Sequence, residues 1–238
     1  MGGVWGTVGL HTPSLQAVKP IAGAPRRYVP SETELRRELC TYSHLLHRQG
    51  LVAGLDGNVS VRLPTGGFLA TPTLSHLGTV QPDELVRIDV DGAMHGGRVT
   101  SEWPLHRAVY AARPDAVAVA HAHPPHVVAH TLNGEQLVTE ALPEAVIALG
   151  TVSTVPYATT GTETLAAATA RALSDADVAV LVRHGAVAVG ASLRQAVARL
   201  EVLEHTARIL HLAGGFIAPL AADEQARLGE VRRQMGGR

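Results

Sequence analysis

Cysteine is almost absent: Cys40 is the only one in 238 residues. A disulfide framework is therefore excluded, and a lone thiol fits a reducing compartment, so the expected location is cytoplasmic. Aromatic residues are scarce, at 3%, so the core must be built from alanine, valine and leucine within a hydrophobic share of 46%. No apolar run reaches the roughly 18 residues of a membrane helix. Residues 1–30 lack the basic start and following apolar run of an export signal. An excess of either charge is missing too: 20 Lys and Arg against 21 Asp and Glu leave a formal charge of −1. That balance argues against a nucleic-acid partner, which needs a basic surface. With so much apolar content it also excludes a disordered chain.

Histidine, by contrast, is frequent, with 13 residues. It is the commonest transition-metal ligand and the usual general base near neutral pH. Position must separate the chemical histidines from the rest.

Residues 1–30 are rich in Gly and Pro and read as a flexible arm; residues 31–238 read as one α/β domain. Ser31-Glu-Thr-Glu34 is a capping box. Leu35, Leu39, Tyr42 and Leu46 then follow at helical spacing, with Gly50 as a stop. Short strands are expected at 58–63, 68–70 and 85–89. A helix follows Ser101, read as its N-cap, and ends at Arg113-Pro114. A buried strand spans 116–122 and a helix 126–132. A strand at 151–155 and a helix at 162–173 come next. Strands at 178–182 and 186–189 flank His184-Gly185. A long helix runs over 193–212, and a short charged helix lies after Pro219.

The strongest chemical signal is Val117-Ala-Val-Ala-His121-Ala-His123. Strand alternation puts both histidines on one face, and Pro124-Pro125 ends the strand beside them. Ring nitrogens so placed can converge on one ion. The pair alone fits either a metal site or two strand-end histidines. Two further ligand candidates exist. His184 ends an apolar strand, before a glycine that permits a sharp turn or close backbone approach. Glu102 stands at the first turn of a helix, where a carboxylate is favoured in any case. Three histidines with an open position make a catalytic site rather than a structural one, and a carboxylate beside it can shuttle a proton.

Three small polar loops suit an anion: Gly54-Leu-Asp-Gly57-Asn58-Val-Ser60, Thr71-Pro-Thr73-Leu-Ser75-His76 and Thr100-Ser101. Backbone N–H groups and hydroxyls in such loops cradle phosphate. Each alone is more often an ordinary turn.

Together the segments Gly57-Asn-Val-Ser-Val-Arg62, Thr71-Pro-Thr73, Ser101-Glu-Trp103 with His106, His121-Ala-His-Pro124, Pro156-Tyr-Ala-Thr-Thr-Gly-Thr162 and Arg183-His-Gly185 carry a resemblance. In this order they are similar to the class II aldolase/adducin family, on its L-fuculose-1-phosphate aldolase-like side, over roughly residues 32–215. The resemblance implies a three-layer α/β/α sandwich around a mixed, mostly antiparallel sheet. It implies a homotetramer with active sites between subunits, and a small sugar-phosphate substrate with no membrane partner. His121, His123 and His184 then match the ligands of Zn²⁺, with Mn²⁺ or another divalent ion as alternatives. Glu102 matches the catalytic carboxylate, which also touches the metal in some states. Gly57, Asn58, Thr73 and Ser101 match the phosphate loops, and Thr100 stands where a serine is usual.

Two departures from the family pattern stand out. The second loop reads Thr73-Leu74 where Thr-Gly is usual, so a leucine side chain crowds a backbone donor. The family's catalytic tyrosine has no counterpart, since no tyrosine lies between Tyr110 and Tyr157. Its place falls near Leu142, with Glu140 and Glu144 close by. The expected reaction is retro-aldol cleavage of a phosphorylated 2-ketose through a metal-stabilised enediolate. Decarboxylation of a keto or phosphorylated sugar acid is the alternative, because it needs no proton donor at an aldehyde oxygen. Epimerase and dehydratase relatives are less favoured. A non-catalytic adducin-like module is disfavoured because all three histidines are present. An iron oxygenase using His121, His123 and Glu102 leaves His184 surplus.

Of the remaining histidines, His126 and His130 read as structural, His106 as packed on its own helix, and His76 as a substrate contact. His44, His47, His205 and His211 read as partly exposed on amphipathic helices.

Overall fold

The computed structural model describes residues 28–134 and 137–237; the expected N-terminal arm lies outside them up to residue 27. The capping box forms as expected. Ser31 Oγ accepts the Glu34 N–H at 3.3 Å, and the Glu34 carboxylate accepts the Ser31 N–H at 2.8 Å. It opens α1 (Glu32–Arg48), which buries Leu35, Leu39 and Leu46. Next come β1 (Asn58–Arg62), β2 (Phe68–Ala70), β3 (Val86–Ile88) and a two-residue edge strand, β4 (Met94–His95). Then follow α2 (Trp103–Ala112), β5 (Ala118–Ala122), α3 (Pro125–Asn133), α4 (Pro143–Leu149), β6 (Val152–Val155) and α5 (Glu163–Ala172). The chain continues through β7 (Val178–Leu181), β8 (Gly185–Gly190), α6 (Leu193–Ala213) and α7 (Ala222–Gln234).

Neither β4 nor α4 is predicted from the sequence. β4 is two exposed residues with no alternation to read. α4 is seven residues long and begins at Pro143, too short for helical periodicity to declare itself.

The start of α2 also differs from expectation. The N-cap is Glu102, not Ser101, and its side chain makes no capping bond. A cap at Ser101 would serve the N–H groups two and three residues on, and the second of these, Pro104, has none. Thr100 Oγ1 instead accepts the Glu102 N–H at 3.2 Å. The Glu102 carboxylate is left free of capping and faces the site.

The eight strands form one sheet in the order β4-β3-β2-β1-β5-β8-β7-β6. Every pairing is antiparallel except β6 with β7. Alternation in β5 sends Ala118, Ala120 and Ala122 into a core shared with α1 and α6. Val119 goes to the opposite core, with Trp103 and Val109 of α2 and Leu165 of α5. Helices thus cover both faces, giving the expected three layers. The register brings Asn58 opposite His121, and His121 opposite Val187. That pairing sets the site at one end of the central strands. No helix among the described residues is long and apolar enough to cross a membrane.

Candidate active site

β5 delivers His121, and the chain delivers His123 just past its end. The β7–β8 turn delivers His184. Gly185 is required there: a Cβ would sit 2.2 Å from the Ala122 carbonyl oxygen and 2.9 Å from the His123 ring. The glycine lets the turn approach the His pair closely. The three imidazoles meet. His121 Nε2 lies 3.0 Å from His123 Nε2 and 3.2 Å from His184 Nε2. Ligand nitrogens about 2.0–2.1 Å from a tetrahedral zinc ion would be about 3.4 Å apart, so little adjustment is needed. His121 is fully buried, and its Nδ1 lies 3.0 Å from the Ala186 carbonyl oxygen. In the neutral ring, a proton on Nδ1 satisfies that carbonyl and leaves Nε2 as a lone-pair donor for an ion.

Glu102 faces this cluster. Its Oε2 is 3.1 Å from His121 Nε2, and its Oε1 is 3.6 Å from His184 Nε2. Burial would raise the Glu102 carboxyl. The charge and hydrogen bond of His121, a hydrogen bond from Asn58 and the charge of His184 outweigh it and hold it well below the usual range. His121 moves the other way: burial would lower it, and Glu102 holds it above its ordinary value. His184 is pushed down to about 4 by burial and then by the His121 charge, and His123 is lowered for the same two reasons. The group therefore shares positive charge opposite a carboxylate, where a divalent cation can take the place of a proton. Two buried atoms here, Glu102 Oε1 and His184 Nδ1, have no hydrogen-bond partner. The donor set, its spacing and the orphaned carboxylate oxygen all fit a divalent ion.

A cavity of about 220 Å³ opens beside the cluster. Glu102, His123 and His184 line it, and so do all five expected loop residues: Gly57, Asn58, Thr73, Thr100 and Ser101. The loops therefore converge, but not every residue has a donor to offer. The Thr73 N–H is held by the Arg98 carbonyl at 2.9 Å, which leaves its hydroxyl. Gly57 has φ +76°, and a Cβ there would meet Val52 Cγ1 at 2.5 Å and the His121 carbonyl oxygen at 3.0 Å, so both its backbone shape and its packing require glycine. Asn58 is buried, and its Nδ2 donates to Glu102 Oε2 at 2.9 Å. Leu74 has φ +55° and an exposed side chain. The backbone there keeps the left-handed shape that suits glycine, although a leucine occupies it.

Sequence reading missed Leu55, Asp56 and Thr160, which also line the cavity. Leu55 and Asp56 lie within the first polar loop and Thr160 within the Pro156–Thr162 segment, but no spacing in the sequence sets these three residues apart from their neighbours. His106 is not merely packed on its helix: it is fully buried and hydrogen-bonded to Asn58 and Ser60. His76 packs on the His47 ring and is absent from the cavity lining. His126 pairs with Glu204, and His130 Nε2 faces the Ala207 carbonyl, as structural histidines do. Glu140 and Glu144 do not line the cavity of their own chain.

Residues 37–211 match the family described as Class II Aldolase and Adducin N-terminal domain, and the chain belongs to that family. Among relatives, it is 33% identical over 203 residues to 3-oxo-tetronate 4-phosphate decarboxylase from Escherichia coli, covering 83% of this chain and 96% of the relative. It is 37% identical over 166 residues to L-fuculose phosphate aldolase from Methanocaldococcus jannaschii, covering 69% and 88%. The structure of YgbL from Klebsiella pneumoniae, whose description leaves aldolase, epimerase and decarboxylase open, superposes with a TM-score of 0.78. It shares 34% identity and covers 84% of this chain and 99% of that one.

Proposed function

We propose that this protein is a divalent-metal-dependent carbon–carbon lyase that decarboxylates a phosphorylated 3-keto sugar acid of the 3-oxo-tetronate 4-phosphate type. One observation carries the lyase reading: three imidazole nitrogens converge beside a buried carboxylate at the wall of a small polar cavity. His121, His123 and His184 would hold the ion, with zinc the best match to the all-nitrogen donor set. When bound, the ion supplies Lewis-acid stabilisation of the negative charge that develops on the keto oxygen as the adjacent carbon–carbon bond breaks.

The chain's own residues do the rest. The hydroxyls of Thr73, Thr100, Ser101 and Thr160, residues that line the cavity, would take the substrate phosphate. The C1–C2 bond breaks, carbon dioxide leaves, and C2 takes one proton to give a three-carbon phosphorylated hydroxyketone. Glu102 relays that proton from water to carbon.

Decarboxylation is favoured over aldol cleavage by two facts. The E. coli relative that the chain matches over 83% of its length bears that activity in its name. The chain also lacks a tyrosine between Tyr110 and Tyr157, and aldol cleavage needs a proton carrier at the aldehyde oxygen that decarboxylation does without. Aldol cleavage of a ketose phosphate is the second reading, supported by the fuculose phosphate aldolase relative. Four-fold assembly with sites between subunits belongs to the same proposal, and sedimentation at four times the chain mass tests it. The deciding experiment offers the zinc-loaded protein 3-oxo-tetronate 4-phosphates and ketose 1-phosphates separately. Release of carbon dioxide from the first supports the proposal; aldehyde release from the second alone replaces it with the aldolase reading.

A further inference from the structure

Behind Glu102 runs a row of buried polar side chains that the proposed chemistry does not use. Glu102, at the N-cap of α2, and His106 and Tyr110 within the helix recur every four residues and so lie on one side of it. Asn58 and Ser60, two residues apart on β1, face them. Tyr110 Oη is 2.9 Å from Ser60 Oγ, and Ser60 Oγ is 2.7 Å from His106 Nδ1. His106 Nε2 is 2.6 Å from Asn58 Oδ1, and Asn58 Nδ2 is 2.9 Å from Glu102 Oε2. All five residues are buried.

Donor and acceptor bookkeeping allows one direction along this row. An ionised carboxylate only accepts, so Asn58 must turn its amide nitrogen to Glu102 and its carbonyl oxygen to His106. That oxygen only accepts, so His106 carries its proton on Nε2. Burial holds the ring neutral, so Nδ1 is bare and takes the Ser60 hydroxyl proton. Ser60 oxygen in turn accepts from Tyr110. One donor is left over: the second N–H of Asn58 makes no hydrogen bond among the described residues, and Asn58 lines the cavity.

We infer that His106 is a positioning residue that locks the Asn58 amide with its nitrogen toward Glu102 and the cavity, so that the site offers a substrate oxyanion a fixed N–H donor beside the proton-carrying carboxylate. Without His106 the amide is free to rotate half a turn. It would then set its carbonyl oxygen against the Glu102 carboxylate and withdraw the donor. The inference rests on the cavity being the active site, as proposed above.

Nitrogen-15 labelling of the histidines in the zinc-loaded protein tests the lock directly. The His106 signals, identified by their loss in His106→Gln, are expected to show a protonated Nε2 and a bare Nδ1. The opposite tautomer or a charged ring overturns the inference whatever the activity. Kinetics of two variants give the second test. His106→Leu removes both hydrogen bonds and is expected to lower kcat roughly a hundredfold, more than it raises KM, the scale of losing one oxyanion donor. His106→Gln can accept from Ser60 and donate to Asn58, and is expected to recover to within about tenfold of the parent. Zinc affinity stays the same in both. Equal losses in the two variants would assign His106 a packing role only. If the parent turns over no substrate, the functional proposal fails while the nitrogen-15 result still decides the lock; if His106→Leu does not fold, the tautomer and His106→Gln decide it.

Discussion

His123 Nδ1 lies 3.3 Å from Oδ2 of Asp56. A carboxylate on the far nitrogen of an imidazole fixes the ring's orientation and makes its other nitrogen more basic. Asp56 comes from the loop before β1, and its side chain is half exposed, so solvent weakens the effect. Asp56→Asn is therefore expected to reduce zinc affinity by about tenfold, the low end for such partners. Competition with a chromophoric chelator measures it. An unchanged affinity would leave Asp56 as a surface residue of the loop.

Glu102→Gln keeps the side-chain shape and removes the proton carrier. Turnover is expected to fall by a factor on the order of 10² to 10⁴, while zinc remains bound at one ion per chain. Zinc content by mass spectrometry, read alongside the rate, checks both halves. His121→Ala, by contrast, should lose ion and activity together, because His121 Nε2 lies within 3.2 Å of both other ligand nitrogens and its removal leaves two.

His106 makes stability depend on pH in one window. Burial, reinforced by the His121 charge, pushes its pKa down to about 3 from an ordinary 6.5. Between those values the unfolded chain binds a proton that the folded chain does not. The contribution of His106 is thus complete above pH 6.5 and is lost as pH falls toward 3, with a slope of at most about 1.4 kcal/mol per pH unit. Denaturant unfolding from pH 7 to pH 4 should show a shallower decline for His106→Gln than for the parent. Parallel curves would mean that the ring titrates normally in the fold.

Leu74 holds a left-handed backbone and leaves 77% of its surface exposed. Leu74→Gly relieves strain of about 1–2 kcal/mol and adds an unfolded-state entropy cost of about 0.5–1 kcal/mol. A net gain of up to about 1.5 kcal/mol is expected, seen as a rise of a few degrees in Tm. A fall would show that the leucine side chain has a packing partner in the assembled protein.

Much of this is legible in the amino-acid sequence. Ser31 and Glu34 declared the start of α1 because a capping box is a contact between near neighbours. The alternation of Val and Ala around His121 declared a strand with both faces covered. Gly185 allowed a sharp turn or a close approach. What escaped was whatever depends on a distant partner. Pro104 overruled Ser101 as a cap, α4 was too short to show its period, and His106 looked like a helix residue until β1 was laid against it.

Residue types and their local spacing, by themselves, determined the alternating helices and strands, the apolar faces and the pair of histidines at a strand end. These follow from dihedral preference, periodicity and capping, all of which act within a few residues. Only the tertiary structure decided that His184 reaches His121 across 63 residues of chain, that Glu102 turns to them rather than to its own helix, and that one row of hydrogen bonds links Tyr110, Ser60, His106, Asn58 and Glu102. Those outcomes rest on sheet register and on the pairing of buried donors with acceptors, and neither exists until the strands have met.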